Sequence, residues 1–241
     1  MATKTNRLWA IVALVVMVTS FSACLKDVDT TPSRPIAAFS IINGIVSSTA
    51  VDFFDNTTAK PTASNLALGF GDNSYLVYGG VHQFSFTKTG TLTPALATVT
   101  SQFDSLNYFT LVTYGDSSHA AVRAIKDDFS TASTSKLNIR FFNLSPNSPN
   151  VDLYIGDVKV DSNVAYIGNG AISTAFKALS TIGSASSLKV KLTGSSGATL
   201  PIAQNTTADL VSGQVYTIYL SGMKDSSGPL KPQLKYIKSY Y

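Results

Sequence analysis

Few side chains in this sequence could take part in acid–base chemistry. The 241 residues include 14 acidic residues, all of them aspartate, with two histidines and one cysteine. Asp52 and Asp152 share a local pattern, in which Val-Asp is followed by an apolar residue. A pair of carboxylates is what a glycoside hydrolase needs. A repeated aspartate also fits a repeated turn, where it bonds backbone amides, and we predict this structural role over ligand binding.

The histidines do not indicate a nucleophilic catalytic centre. His82 lies in an alternating segment on the side opposite to Val81, and we expect it to face solvent. His119 follows Asp116 in a turn sequence. A catalytic triad needs a base beside a nucleophile, and the sequence contains no Gly-x-Ser-x-Gly motif. We therefore predict no catalytic residue and a protein that is not an enzyme.

Metal and cofactor sites are not predicted either. The pair Asp127-Asp128, and Asp157 with Asp161, could offer oxygen ligands to calcium, but their spacing matches no calcium-binding loop. One cysteine excludes a cysteine-based zinc site and a disulfide scaffold. Phosphate-binding glycine motifs are absent. We expect no cofactor and no bound metal.

The first 24 residues have the pattern of an export signal. Lys4 and Arg7 precede an apolar run from Leu8 to Val18. This run is shorter than the about 20 residues that span a bilayer, and it has the dimensions of a secretory signal. The lone cysteine, Cys24, follows two small residues directly.

The segment Phe21-Ser22-Ala23-Cys24 resembles the bacterial lipobox, in which an apolar residue and two small ones precede a lipid-modified cysteine. The resemblance implies a signal peptide at 1–23, lipid attachment at Cys24 and a polar tether over 24–34. An ordinary signal peptide is the alternative. With lipid attached, the protein is expected in the bacterial outer membrane, on its periplasmic or extracellular face, with the membrane as partner.

The rest of the chain is internally repeated, which predicts two domains with a linker between them. Residues 38–43 and 51–54 match 138–143 and 151–154 at one offset, and 121–126 match 233–238 after a longer one. We also align 106–111 with 214–219, which pairs Tyr108 with Tyr216. The predicted boundaries place domain 1 at 35–128, a polar linker at 129–135 and domain 2 at 136–241.

Hydrophobicity alternates with a period of two within each copy, and turn sequences rich in Gly, Pro, Ser and Asn separate the segments. About 100 residues of short strands and frequent turns is typical of a β-sandwich. The predicted fold class is therefore all-β, with two tandem immunoglobulin-like or transthyretin-like β-sandwich domains. The absence of a Cys–Trp–Cys pattern excludes an antibody-type domain.

A family resemblance is carried by residues 137–154, LNIRFFNLSPNSPNVDLY. A strand, an Asn-x-Ser-Pro-x-x-Pro turn and a Val-Asp-x-Tyr strand resemble the opening of the DUF4397 domain. Val211 to Thr217 is similar to a later strand of the same family, and the first copy is a degenerate match. The resemblance implies a surface lipoprotein of Bacteroidetes, and because the family has no known function it implies no chemistry.

Charge is divided unevenly between the copies. Residues 35–128 carry four basic and seven acidic residues, whereas residues 136–241 carry ten basic and five acidic ones. Lys231, Lys235 and Lys238 cluster near the end of the second copy. Such a cluster could meet an acidic glycan, although lysines also protect strand edges from pairing. Tyrosines at 75, 78, 236, 240 and 241 could stack on sugars, or pack within the strands.

The sequence thus predicts a non-enzymatic surface lipoprotein with a binding, adhesion or structural role, possibly the capture of a glycan. A polysaccharide or another surface protein is the expected partner, and nucleic acid is not. One alternative is a fimbrial subunit, which would need a donated strand. The other is a glycan-active hydrolase that uses Asp52 and Asp152.

Overall fold

The computed structural model of the protein describes residues 34–56, 61–170, 172–180, 182, 187–195 and 202–239. Cys24 and the rest of the predicted signal peptide and tether, up to residue 33, lie outside these ranges. The described residues are predominantly β-strands, and residues 35–241 form one compact unit. The all-β fold predicted from the period-two pattern is confirmed. Among the described residues, no helix has the length and apolar character needed to cross a membrane.

The first eight strands form a sandwich, which we call the first sandwich. Its strands are β1 (Ile36–Asn43), β2 (Val51–Asp55), β3 (Ala63–Leu66), β4 (Gly71–Tyr78), β5 (Gly80–Lys88), β6 (Ala95–Phe103), β7 (Tyr108–Tyr114) and β8 (Ala121–Lys126). One sheet has the order β4-β1-β7-β8 and the other has the order β3-β2-β5-β6. β1 and β7 pair in parallel, and the other pairs are antiparallel.

The second eight strands form the second sandwich. Its strands are β9 (Leu137–Asn143), β10 (Val151–Ile155), β11 (Val158–Val164), β12 (Lys177–Leu179), β13 (Leu188–Leu192), β14 (Ala203–Asn205), β15 (Val215–Ser221) and β16 (Gln233–Lys238). Its sheets have the orders β12-β9-β15-β16 and β11-β10-β13-β14. Each strand takes the place of the strand eight positions earlier, including the parallel pair of β9 with β15. The tandem β-sandwich prediction is confirmed.

The strand pairing corrects one part of the sequence alignment. Ala38 pairs with Tyr108, and its equivalent Asn138 pairs with Val215. Tyr108 is therefore equivalent to Val215, not to Tyr216, and the expected alignment was wrong by one residue. Matching tyrosine to tyrosine produced the error. Because side chains alternate between the faces of a strand, a shift of one residue exchanges every inward and outward position.

Each sandwich has a hydrophobic core between its own two sheets. In the first, phenylalanines dominate: Phe39 contacts Phe84, Phe103 and Phe109 at ring-centroid distances of 5.0–5.2 Å. In the second, the core consists mostly of leucine, isoleucine and valine. Burying large apolar side chains contributes about 1.5–3 kcal/mol per residue, so both cores favour the folded state strongly.

A third core joins the sandwiches through the other faces of the β4-β1-β7-β8 and β12-β9-β15-β16 sheets. It combines Ile42, Val112 and Ile125 of the first sandwich with residues such as Phe142 and Tyr219 of the second. The four sheets therefore stack as four layers, with these two in the middle. The middle strands of these two sheets are buried: every residue of β9 and β15 is buried, and so are most residues of β1 and β7.

The two sandwiches approach each other closely at the start of β4 and in the segment just before it. A Cβ atom on Gly71 would lie 2.5 Å from Tyr219 Oη and 2.5 Å from Ile237 Cγ2, so a side chain does not fit there. Tyr219 donates a buried hydrogen bond of 3.0 Å to the Gly69 carbonyl. Burial raises the pKa of the Tyr219 hydroxyl, which keeps it protonated as a donor.

Candidate functional site

Asp52 is a structural carboxylate that holds a bulge in β3 and the turn after β5 in the first sandwich. Its Oδ1 accepts hydrogen bonds from the Asn65 amide (2.8 Å) and the Thr89 hydroxyl (3.0 Å), and its Oδ2 accepts one from the Gly90 amide (2.9 Å). Asn65 has a φ of 60° at a bulge in β3, where the register with β2 shifts. Burial would raise the pKa of Asp52, but these hydrogen bonds outweigh it and hold the pKa below its usual value.

Asp152 repeats this arrangement in the second sandwich. Its Oδ1 accepts from the Asn163 amide (2.9 Å) and the Thr193 hydroxyl (2.8 Å), and Lys159 Nζ lies 3.1 Å from its Oδ2. Asn163 has a φ of 57° at the equivalent bulge in β11. Burial favours a raised pKa for Asp152 too, and the hydrogen bonds and the Lys159 charge lower it below the usual value. The turn-holding role expected of both aspartates is what the structure shows.

The structure does not bring Asp52 and Asp152 together. Their neighbours on β2 and β10 face the two cores, so each aspartate lies on the outer face of an outermost sheet. Stacked sheets lie about 10 Å apart, so the four layers separate the two carboxylates by about 30 Å or more. The carboxyl groups of a glycoside hydrolase lie about 5–9.5 Å apart. The two aspartates therefore occupy separate structural sites.

We expect Asp52→Asn to lower the free energy of unfolding at pH 7 by about 1–3 kcal/mol, because an amide group cannot accept all three hydrogen bonds. Asp152→Asn should cost less, since one of its three donors is the half-exposed Lys159. Urea denaturation of a fragment spanning 25–241 measures both. Equal effects of the two substitutions would contradict this ranking.

The same variants have an expected pH dependence. A carboxyl whose folded pKa is depressed contributes stability above its unfolded pKa, and this contribution is lost as the pH falls through the folded pKa. The stability difference between wild type and Asp52→Asn should therefore shrink as the pH falls from about 5 to about 3. Denaturation at both pH values tests this, and a constant difference would show that the ionised carboxylate is not what matters.

His82 does not face solvent as expected; its side chain is 13% exposed. Its Nδ1 lies 2.8 Å from Asp55 Oδ1, its Nε2 lies 2.9 Å from the Tyr78 carbonyl oxygen, and its ring stacks on Phe84. The predicted alternation in β5 is correct, because His82 and Val81 lie on opposite faces of the strand. The assignment of the faces was wrong: Val81 is the exposed residue and His82 faces inward. Both ring nitrogens therefore lie against partners within the first sandwich.

The other candidate acids and bases also have local partners. Asp116 accepts from the amides of Ser118 and His119, which lower its pKa and form the expected turn. Asp157 pairs with Lys189, and Asp161 pairs with Lys177. The part of the chain that the structure describes contains no cluster of three metal-ligating side chains.

A groove crosses the boundary between the sandwiches. One part, of about 720 Å³, lies between β14 and β16 at the open edge of the second sandwich. A second part, of about 480 Å³, shares Gln233 and Lys235 with it and continues over the first sandwich. We call the two together the seam groove; its polar lining consists of Gln204, Asn205, Thr206, Thr207, Lys231, Gln233 and Lys235 of the second sandwich with Ser47, Ser48 and Asn65 of the first.

The register of β16 explains how its side chains reach the seam groove. Gln233, Lys235 and Ile237 lie on one face of this strand. Ile237 is inside the core between the sandwiches, and the other two emerge where that core ends. The buried Ser221 hydroxyl, which has no hydrogen-bond partner, lies beside them. A Cβ on Gly69 would lie 3.0 Å from Ser221 Oγ, 3.2 Å from Gln233 Oε1 and 3.4 Å from Lys235 Nζ, so three polar atoms converge at this point.

The seam groove carries positive charge. Lys231 and Lys235 line it, and within the described residues neither forms an ion pair and no aspartate lines the groove. The amide and hydroxyl groups beside them both donate and accept hydrogen bonds. Of the predicted lysine cluster, Lys231 and Lys235 are brought together here, whereas Lys238 lies on the opposite face of β16.

Two of the tyrosines that could either stack on sugars or pack within the strands are packed. Tyr75 packs against Phe53 inside the first sandwich and donates to Asp55 at 2.6 Å. Tyr236 packs on Tyr216, and its hydroxyl accepts from the Asp209 amide. Tyrosines 240 and 241 lie outside the described residues. The seam groove itself was missed by sequence reasoning, because its two walls come from parts of the chain about 180 residues apart.

A comparison with protein families finds a DUF4397 domain, a domain of unknown function, at residues 37–154. The match spans the whole first sandwich and ends with Tyr154 in β10 of the second. The resemblance carried by residues 137–154 therefore lies within the match, and the copy described as degenerate is covered from its first strand. A comparison with curated proteins gives no match.

Proposed function

We propose that this protein is an envelope lipoprotein, anchored through Cys24, that binds an acidic glycan in the seam groove. The observation that carries the proposal is the pair Lys231 and Lys235, which line a polar groove that no described carboxylate lines. Side-chain amides and hydroxyls suit sugar hydroxyls, and the lysines suit a carboxylate or sulfate on the sugar. The role is binding without catalysis.

The build of the molecule supports this role. The groove has one wall from each sandwich, and the shared core fixes the two walls relative to each other. A preformed site loses less conformational entropy on binding than a flexible one. The proposal extends to the second sandwich as a second DUF4397 copy, supported by the identical strand order and by the repeated aspartate, bulge and Thr-Gly turn.

A glycan array probed with the 25–241 fragment tests the binding. We expect retention on glycans that carry uronic acid or sulfate, and none on neutral glycans with the same backbone. Lys231→Gln and Lys235→Gln should each weaken binding about tenfold, as expected for losing a charge-assisted hydrogen bond.

Lys126→Gln is the matched control, because Lys126 is an exposed lysine at the end of β8, and no residue of β8 or of β7 beside it lines the groove. It should bind as wild type does. Equal loss in all three variants would indicate a nonspecific charge effect, and an array without any retained acidic glycan would contradict the proposal.

A further inference from the structure

The outer face of the β4-β1-β7-β8 sheet is covered along half of its length. Ile42, Val112 and Ile125 lie under the second sandwich, in the core that the two sandwiches share. At the other end, the same face and the turn beside it leave large apolar side chains exposed. We call these the apolar patch: Ile36, Leu76, Tyr78, Leu106 and Tyr108.

Leu106 is the most prominent member of the apolar patch. It is 79% exposed at the turn between β6 and β7, and its φ is 63°. An exposed turn position in the left-handed region favours glycine or asparagine, and a leucine there is uncommon. Neither local conformation nor burial within the chain accounts for leucine at this position.

The chain enters the fold through the apolar patch. The Leu106 amide donates to the Ile36 carbonyl at 2.7 Å, and the Ser105 hydroxyl donates to the Pro35 carbonyl at 3.0 Å. Ile36 also pairs with Tyr78 across the sheet. Because Pro35 and Ile36 are hydrogen-bonded to the turn of the apolar patch, an anchor attached before Pro35 would also restrain this end of the first sandwich.

The length of the preceding segment limits the distance to an anchor. Ten residues separate Cys24 from Pro35. Fully extended, they reach at most about 36 Å. An acylated Cys24 would place its chains in the bilayer, so the end of the fold that carries the apolar patch stays within that reach of the membrane surface.

We propose that the apolar patch rests on the bilayer surface and fixes the orientation of the protein on the membrane. The inference rests on the lipid anchor at Cys24 proposed above. Leucine and isoleucine side chains enter the boundary between headgroups and acyl chains, and the tyrosines at the rim suit the interface because each ring is apolar with a polar hydroxyl. With this end down, the opposite end of the first sandwich points away from the membrane.

Tryptophan fluorescence in vesicles tests this orientation. The chain has one tryptophan, Trp9, which the proposed cleavage removes, so Leu106→Trp becomes the sole tryptophan of the mature protein. The lipid-bearing variant is purified from membranes and reconstituted in phosphatidylcholine vesicles with brominated acyl chains. Leu92→Trp is the control: Leu92 is 61% exposed beyond the other end of β6, about 25 Å away or more.

We expect severalfold stronger bromine quenching at position 106 than at position 92. Leu76→Trp provides a second reporter within the apolar patch, in case the turn does not accept the larger ring. Equal quenching at all three positions would overturn the inference, and so would a stable dimer in sedimentation that shields position 106 from bromine. Flotation of the vesicles separates the two proposals. Protein that floats with the vesicles without bromine quenching at position 106 would support the lipid anchor and contradict the proposed orientation. Protein that does not float with them would contradict the anchor itself.

Discussion

Replacing Arg140 with methionine is expected to lower the free energy of unfolding by about 3–5 kcal/mol. The guanidinium lies between the sandwiches: Nη1 donates to Asp127 Oδ1 at 2.9 Å, and Nη2 donates to the hydroxyls of Thr110 and Thr217, each at 2.9 Å. Its side chain is fully buried, between the rings of Phe142 and Phe176. Without it, the Asp127 carboxylate stays buried and keeps the hydrogen bond from the Thr110 hydroxyl.

The equivalent positions in the repeat show that this ion pair belongs to the interface. Ser40 takes the place of Arg140 in the first sandwich, and Ser239 takes the place of Asp127 in the second. A sandwich of this topology therefore forms without the charges. We expect the double variant Arg140→Met with Asp127→Leu to regain most of the lost stability, because it removes both buried charges together. A double-mutant cycle tests this: thermal denaturation is measured for the wild type, Arg140→Met, Asp127→Leu and the double variant.

The loss in Arg140→Met should also depend on pH. Burial raises the pKa of Asp127, and the attraction of Arg140 opposes this rise. Without Arg140, the folded pKa lies further above the unfolded value. Such a group stabilises the fold below its unfolded pKa, and the contribution is lost as the pH rises through the folded pKa. The deficit should thus be larger at pH 7 than at pH 5, and equal deficits would mean that Asp127 is not the charge left behind.

Cys24→Ser is expected to move the protein from the membrane fraction to the soluble fraction. Acyl chains contribute about 0.8 kcal/mol per buried CH₂, and more than one chain makes attachment stable. A serine cannot form the thioether that carries them. Cell fractionation with mass spectrometry of the N-terminal peptide measures both the location and the modification.

Phe21→Leu is the matched control for this experiment, because it brings the sequence before Cys24 nearer to the usual lipobox. It should give the same location and the same lipid mass as the wild type. Membrane retention of Cys24→Ser would contradict the anchor, and so would a wild-type peptide with a free thiol and the leader still attached.

Much of the fold could be predicted because the outer sheets follow simple rules. In β2 and β10, core residues alternate with outward ones, and an aspartate follows the same valine in both. That pattern was sufficient for the strands, the repeat and the turn-holding role of Asp52 and Asp152. His82 shows the limit of the rule: alternation tells which residues share a face, but the inward face of β5 depends on the sheet that packs against it.

The sequence by itself predicted a strand-rich chain and a twofold repeat, because these depend on local composition and period. The tertiary structure alone decided that the sandwiches share a core, that Arg140 meets Asp127 inside it, and that Lys235 and Ser47 line one groove. The physical reason is that the middle strands of the two central sheets are covered on both faces. β9 and β15 have no solvent-exposed face, and even their polar residues, such as Arg140 and Thr217, are buried, so alternation does not identify the surface that each side covers.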